Sequence, residues 1–536
     1  MSGLREELEA LLKARLGTKA SLRDAQLDAV RALVEQKRDC LATLPTGFGK
    51  SMVYQLPAMW RAEKDTPGVT VVVAPLLSLL RDQLRGCDDL DIDAAAWCGT
   101  VDKAKMERIE SDLHIDYYDS GPGIKLLYTT PESLGSQQLK DALRVCATNG
   151  CLSSIAVDEA HCVASWGHDF RPSYLALKDF RDDVAPGVPF QALTATATPR
   201  VKDQIVESLG LKDPVFVAAS LNRPNLRYEV IRRESMRHGD DVGTEAGDDV
   251  GTETGDDVGT EAVALAHLAA MAKETKERDP ESVGVVYART RHECERLAAA
   301  LQDLELDCEV YHAGRDKTAL ARTQGNWREG DLHCVVATVA FGMGVDKPDV
   351  RFVAHWGPPS TLEGLYQESG RAGRDSLPAR CVLYCSSDEL DELRKVDRGN
   401  CGAVDAYARG VGTCRRAVLL GHFGEKRSAG GCGGGEEMCD VCADPEAVRR
   451  AAAAADRTAD RAAERKMDDA RAATEEEEDV ARVGGDKEAV KRRRVEVAAS
   501  APRVPLVPTQ HRRVPQGPAR KPFVPPMKGT KYRLKQ

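Results

Sequence analysis

Short β-branched runs, each followed by an amphipathic stretch, recur through most of this chain. In the first half they read DCLATLP, VTVVVAP, IKLLYTTP, LSSIAVDEAH and PFQALTATAT. In the second half they read SVGVVYART, CEVYHAG, LHCVVATVAF and VRFVAHWG. A near-continuous apolar run suits a strand buried on both faces, and the amphipathic stretch after it suits the helix that covers it. Alternation of this kind implies parallel sheets under helices. Two sets of it imply two α/β domains in tandem, with a seam near SLNRPNLRYEV (Ser220 to Val230).

The length of 536 residues is ample for two to four domains, and 42% hydrophobic with 30% charged residues is a globular composition. No apolar run approaches the eighteen or so residues of a membrane span. The longest, VTVVVAPLLSLL, is broken by Pro75 and reads as a buried strand entering a helix. Leu4, Leu8, Leu11, Leu12 and Leu16 form a helical stripe beside Glu6, Glu7 and Glu9. A signal or transit peptide lacks such acids, so an amphipathic surface helix in a reducing compartment is expected.

The net charge of −10 is unevenly placed. Residues 239–262 are three octads, GDDVGTEA, GDDVGTET and GDDVGTEA, which carry nine of those ten negative charges. A repeat this short, Gly-rich and acidic cannot bury a core and is expected as a disordered insert. The far end is opposite in character. Residues 446–482 are rich in Ala, Arg, Asp and Glu and are expected to be helical, and KRRR (Lys491 to Arg494) opens a basic tail. Ala501 to Gln536 holds nine Lys or Arg, eight Pro and no acid, a composition for an extended disordered arm. Nuclear import or nucleic-acid binding suits such a tail, as does mere solubilisation.

LATLPTGFGKS places a strand before Thr46, Gly47 and Gly49, with Lys50 and Ser51 opening a helix. Glycines let successive N–H groups face phosphate, and the helix N-terminus adds partial positive charge. Lys50 would reach the β- and γ-phosphates of a nucleotide, and Ser51 would hold Mg²⁺. Leu44 stands where the general phosphate-loop pattern has its first glycine, and the tighter T-G-x-G-K-S form is typical of helicases. SSIAVDEAH is a strand ending in Asp158 and Glu159. One carboxylate can hold the Mg²⁺ and the other can polarise the attacking water. YQESGRAGRD adds Arg371 and Arg374, expected on one face of a helix, where they could stabilise charge developing on the γ-phosphate from another domain.

Behind the acidic pair the chain packs His161, Trp166, His168, Phe170 and Arg171 into one short stretch, although aromatics make up only 5% of the sequence. Trp166 and Phe170 can stack on bases of any identity, Arg171 can meet phosphate, and His168 can bond back toward the carboxylates. A shift of such a loop must disturb Asp158 and Glu159.

With these motifs in order the sequence resembles the RecQ-type DNA helicases of helicase superfamily 2, from about Leu22 to Cys442. The resemblance rests on TGFGKS, APLLSLLRDQ, YTTPESL, VDEAHCVASWGHDFRP, LTATATP, VVYARTR, YHAGR, ATVAFGMGVDKPDVRFVAHW and QESGRAGRD. It implies an ATP-dependent DNA helicase moving 3′ to 5′, built as two tandem RecA-like parallel-sheet domains, then a small helical zinc-binding domain and a disordered basic tail. The expected boundaries are 1–220, 221–395 (containing the insert 239–262), 396–445 and 446–536. The resemblance makes the stretch behind the acidic pair an aromatic-rich loop that senses single-stranded DNA. It also gives Arg23 and Gln26 to adenine recognition, Asp346 to the ribose side of the nucleotide, and Thr194 to Thr198 to coupling between hydrolysis and domain movement. The aromatic that usually stacks on the base upstream of Arg23 is absent from LGTKASLRDAQ.

Sixteen cysteines in a reducing compartment are not a disulfide framework. Cys414, Cys432, Cys439 and Cys442 form two pairs, the second a tight C-x-x-C, which fits a structural zinc with no open position. His422 stands near them as a rival ligand. RecQ proteins carry a zinc-binding domain here, and TCRRAVLLGHFGEKR resembles its opening. After Cys442 the chain shows charged helix and basic tail only, which resembles the shorter branch similar to the fifth human RecQ type. The expected partners are single-stranded and branched DNA, with protein contacts through the acidic insert or the tail, in the nucleus. An RNA helicase and a catalytically silent DNA-binding module are the competing readings. The latter should have lost Lys50, Glu159 or the arginines.

Overall fold

The computed structural model describes residues 3–17, 21–116, 121–164, 170–236, 256–342, 347–396, 401–427 and 431–482. Trp166, His168, Asp346, the first two acidic octads and the basic tail lie outside the described residues. Every apolar run quoted above forms a strand.

The first sheet contains β1 (Cys40–Thr43), β2 (Val69–Val73), β3 (Ala94–Trp97), β4 (Leu126–Thr129), β5 (Leu152–Val157), β6 (Phe190–Thr194) and β7 (Val215–Ala218). Its order is β3-β4-β2-β5-β6-β1-β7, and every pairing is parallel. The second sheet contains β8 (Leu226–Arg232), β9 (Val283–Ala288), β10 (Cys308–Tyr311), β11 (Cys334–Ala337), β12 (Val350–Trp356) and β13 (Ala379–Cys385). It runs β10-β11-β9-β12-β13-β8, again all parallel. Central strands such as β2 and β9 are buried at every position, as helices on both faces require. The strand order places β5, β6 and β1 side by side, so the three loops that leave their carboxyl ends emerge together. Ligands bind at that edge in open parallel sheets.

The N-terminal stripe forms helix Gly3–Leu16 and buries Leu8, Leu11 and Leu12 against the first domain. The third octad departs from the expected disorder. From Asp256 it forms the opening turns of helix Asp256–Arg278, and Glu261 pairs with Arg296 at 2.7 Å. The apolar stripe that follows, with buried Ala264, Leu268, Met271 and Ala272, nucleates a helix that extends back into the repeat. Residues to Asp460 form one compact unit, and Arg461 onward a second, whose described part is the rest of helix Pro445–Arg482. No helix among the described residues is long and apolar enough to cross a membrane.

A buried ion pair staples the first domain. Asp39, just before β1, accepts from Arg181 through both oxygens, at 2.7 and 2.9 Å, and from the backbone of Phe190 and Lys212 at 2.9 and 2.6 Å. Arg181 also donates to the Gly210 carbonyl and lies over the Phe190 ring. Asp39→Ala leaves that guanidinium buried without a counter-charge and should cost about 3–5 kcal/mol of stability. Urea unfolding checks this, and a midpoint equal to wild type would contradict it.

Candidate active site

After β1 the chain turns through Thr46–Ser51 into helix Met52–Glu63. Gly47 and Gly49 both sit at φ +78°, in the left-handed region that side chains avoid. A Cβ on Gly49 would also lie 2.8 Å from the Gln26 side-chain nitrogen. Gln26 grips the loop from beneath, donating to the Phe48 and Gly49 carbonyls at 2.9 and 3.1 Å and accepting from the Arg23 backbone at 3.0 Å. The Arg23 guanidinium lies 4.4 Å from the centre of the Phe48 ring. Arg23 and Gln26 therefore gather at the phosphate loop, with Phe48 supplying an aromatic surface there.

Asp158 and Glu159 leave β5 two strands from the phosphate loop. The Asp158 backbone is fixed at both groups: its N–H donates to the Val73 carbonyl at 2.9 Å, and its carbonyl accepts from the Tyr174 hydroxyl at 3.0 Å. Its side chain is buried, and burial first, then the charge of Glu159, push its pKa up to about 6 against the pull of Lys50. A buried carboxylate held this way calls for another cation beside it. Glu159 adopts φ 49°, a strained left-handed conformation, and its Oε2 lies 3.3 Å from His161 Nδ1. His161 Nδ1 is also 3.0 Å from the Thr194 hydroxyl, which donates on to the Thr196 carbonyl at 3.2 Å. The acidic pair and the Thr194–Thr198 stretch after β6 are thus joined through His161.

The strained electrostatics have a measurable consequence. Ionised Asp158 is penalised only in the folded state, so the penalty builds as pH rises from about 4 and is complete above about 6. Asp158→Asn should therefore stabilise the nucleotide-free protein at neutral pH, by at most about 3 kcal/mol. The gain should vanish toward pH 4. Thermal unfolding of both proteins across this range checks it, and an equal or lower midpoint for the variant at neutral pH would contradict it.

After residues 165–169, Phe170 is half-buried and Arg171 turns inward. Its guanidinium donates to the Pro75 carbonyl at 2.5 Å, and its N–H donates to the Cys162 carbonyl at 2.9 Å. Arg171 so links the acidic loop to the turn that precedes helix Leu77–Asp89.

Arg371 and Arg374 are not on a helix. Helix Leu362–Ser369 ends first, and both lie in the turn before β13. Gly373, at φ 55° with Asn225 and the Leu377 carbonyl closing on it, breaks any helical continuation. This turn abuts the phosphate loop: a Cβ on Gly370 would lie 3.4 Å from Thr46, and one on Gly47 would lie 3.7 Å from Arg374. A cavity of about 380 Å³ opens here, lined among others by Arg23, Gly47, Phe48, Arg223, Arg374 and Glu437. Arg371 is buried further in, its guanidinium near Gly342.

A second hollow, of about 600 Å³, has Leu76 from the first domain and Arg289, Thr290, Arg291 and Thr338 from the second among its lining. These second-domain residues belong to YARTR and ATVAF, stretches to which the sequence alone assigns no separate role. Their signal was present, since both follow the carboxyl ends of strands, β9 and β11.

Cys414, Cys432, Cys439 and Cys442 come together beyond β13, with all four sulfurs within 4.8 Å of one another. Cys414 Sγ lies 3.6 Å from Cys432 Sγ and 3.8 Å from Cys439 Sγ. Tetrahedral zinc with bonds near 2.3 Å requires sulfurs about 3.8 Å apart, so the residues fit the ion. The hydrogen-bond contact between the Cys439 and Cys414 sulfurs pulls the Cys439 thiol down to about 5, toward the thiolate that binds metal. His422 is elsewhere, paired with Glu363 at 2.8 Å. The cysteines from Cys40 to Cys385 are all buried.

Comparison with known proteins agrees with this geometry. Residues 23–205 match the DEAD/DEAH box helicase family, 265–376 the helicase conserved C-terminal domain, and 379–443 the RecQ zinc-binding domain. The chain is 36% identical over 467 residues to ATP-dependent DNA helicase Q5 of Rattus norvegicus, covering 83% of this chain and 44% of the rat protein. It is 35% identical over 454 residues to RecQ-like DNA helicase blm-1 of Caenorhabditis elegans, covering 82% of this chain and 42% of the worm protein. The chain thus spans under half the length of these relatives. Among solved structures, Mycobacterium smegmatis helicase Lhr bound to ssDNA and AMP-PNP shares the fold at TM-score 0.55 and 19% identity, over 75% of this chain and 50% of that one. Mss116p bound to ssRNA and AMP-PNP does so at 0.53 and 17%, over 74% and 75%. With two parallel-sheet domains, a four-cysteine module behind them and the three family matches in this order, the chain belongs to the RecQ-type helicase family.

Proposed function

We propose that this protein is an ATP-dependent DNA helicase and translocase that moves 3′ to 5′. It acts at junctions of single-stranded and duplex DNA in repair and recombination. The observation that carries the reading is the apposition of the phosphate loop with the turn bearing Arg371 and Arg374 across one interdomain cleft. Backbone N–H groups of the loop and Lys50 would cradle the phosphates of ATP, with Arg23 and Gln26 toward the base. Ser51 and Asp158 would hold Mg²⁺, whose charge neutralises the phosphate oxygens. Glu159 would accept a hydrogen bond from the attacking water and align it with the γ-phosphorus. Arg371 and Arg374 would balance charge on the transferring phosphoryl group, and ADP and phosphate then leave. The four cysteines would hold zinc as a structural brace.

The hollow between Leu76 and Arg289, Arg291 and Thr338 suits a single strand crossing both domains, gripped at its phosphates without regard to sequence. Trp166 and Phe170 would stack on bases. Two contacts support coupling from there to hydrolysis: Arg171 to Pro75, beside the hollow, and His161 between Glu159 and Thr194. A nuclear location is supported by the KRRR cluster, and the acidic octads and basic tail suit protein contacts.

Strand displacement from duplexes carrying a 3′ or a 5′ single-stranded tail tests the direction. Release from the 3′-tailed substrate alone is expected. Equal release from both, or release from the 5′-tailed one only, would contradict it.

A further inference from the structure

The segment between the two domains is not a passive connector. Arg223 donates to the Thr46 carbonyl of the phosphate loop at 3.3 Å and to the Gly370 carbonyl at 3.0 Å. Its other terminal nitrogen donates to the Ala372 and Gly373 carbonyls, both at 2.8 Å. One guanidinium therefore spans the cleft and holds the turn that carries Arg371 and Arg374 against the loop. Asn225 adds donations to the Gly373 and Leu377 carbonyls, each at 2.8 Å. Arginine suits the task because its planar fork reaches several acceptors at once, which an ammonium cannot.

The segment is held in turn by the cysteine module. Arg416, two residues past Cys414 and almost wholly buried, donates to the Asn222 side chain at 3.0 Å and to the Arg223 carbonyl at 2.5 Å. It also donates to the Leu226 and Glu437 carbonyls, both at 2.8 Å. The Glu437 N–H reaches the Pro224 carbonyl at 2.7 Å, and Glu436 accepts from the Asn222 amide at 2.6 Å. Glu425 holds Ser220 and Leu221 at 2.5 and 2.8 Å. Glu437 follows Cys432 and precedes Cys439, so a cluster held by zinc fixes both ends of the grip on Asn222–Leu226.

We propose that Arg223 is a positioning residue for the turn bearing Arg371 and Arg374, and that the zinc-holding module acts on the nucleotide cleft through it. The proposal rests on the reading of that cleft as an ATP hydrolysis site. Arg223 needs no contact with nucleotide to do this. Its loss lowers turnover by misplacing groups that act on the transition state, with ground-state binding little changed.

Hydrogen exchange and ATPase kinetics on the full chain test it, using wild type, Arg223→Gln and Arg223→Lys. In Arg223→Gln the paired amides of Arg371, Ala372, Gly373 and Ser376 should exchange roughly tenfold faster, with strands β1 to β7 unchanged. Its kcat should fall by about tenfold or more while nucleotide Kd stays within about threefold. Arg223→Lys should recover only part of either effect. Removing zinc from wild type with a chelator should speed exchange at Leu226 and the same turn. Unchanged exchange and kcat in Arg223→Gln would overturn the proposal. Full recovery by lysine, faster exchange throughout the strands, or chelation effects confined to residues 414–443 would also overturn it. A wild type that hydrolyses no ATP yet shows the exchange changes would retain the clasp and sink the hydrolysis reading instead.

Discussion

Glu159→Gln is expected to bind ATP within a few-fold of wild type and to lose roughly a thousandfold in kcat. The amide keeps the size of the carboxylate but cannot polarise the attacking water. Glu159 is well placed for that task, on a strained backbone beside the buried Asp158, with His161 against its oxygen. Lys50→Ala should differ in kind: on the proposed reading Lys50 would bind the phosphates already in the ground state, so its loss should raise Kd as well. Titration with a fluorescent ATP analogue, paired with phosphate-release kinetics, separates the two. A Glu159→Gln enzyme with turnover near wild type would remove Glu159 from the chemistry.

The second large effect concerns the cysteine cluster. Cys439→Ser should abolish stoichiometric zinc and unfold the module, since the binding free energy of a structural zinc is folding free energy. The module packs its Leu419, Leu420 and Phe423 into the same core as β8 and β13, so its loss exposes the second domain as well. Metal analysis together with thermal unfolding checks this. Retention of one zinc per chain with an unchanged midpoint would contradict the four-sulfur assignment.

Much of this architecture is legible in the sequence because its signals are local. Each strand of the two apolar sets is a short run, and Thr46–Ser51 or Asp158–Glu159 is recognisable within a few residues. The cysteine spacing likewise suffices for a tetrahedral site. What escapes is fixed by partners distant in the chain. Nothing adjacent to Asp39 foretells Arg181, and nothing in NRPNL foretells that Arg223 clasps two loops from different domains. Arg371 and Arg374 read as helical from their spacing, but Gly373 and its tertiary neighbours turn the chain. The third octad reads as disordered from composition, yet the apolar helix downstream draws it in. The bond from Arg171 to the Pro75 carbonyl is another contact that sequence separation conceals.

The most direct measurement is ATP hydrolysis by the purified protein alone, with single-stranded DNA and with single-stranded RNA, alongside Trp166→Ala. Strong stimulation by DNA only is expected, blunted in the variant while basal hydrolysis persists. Equal stimulation by RNA, or DNA binding with no hydrolysis, would contradict a DNA motor driven from this cleft.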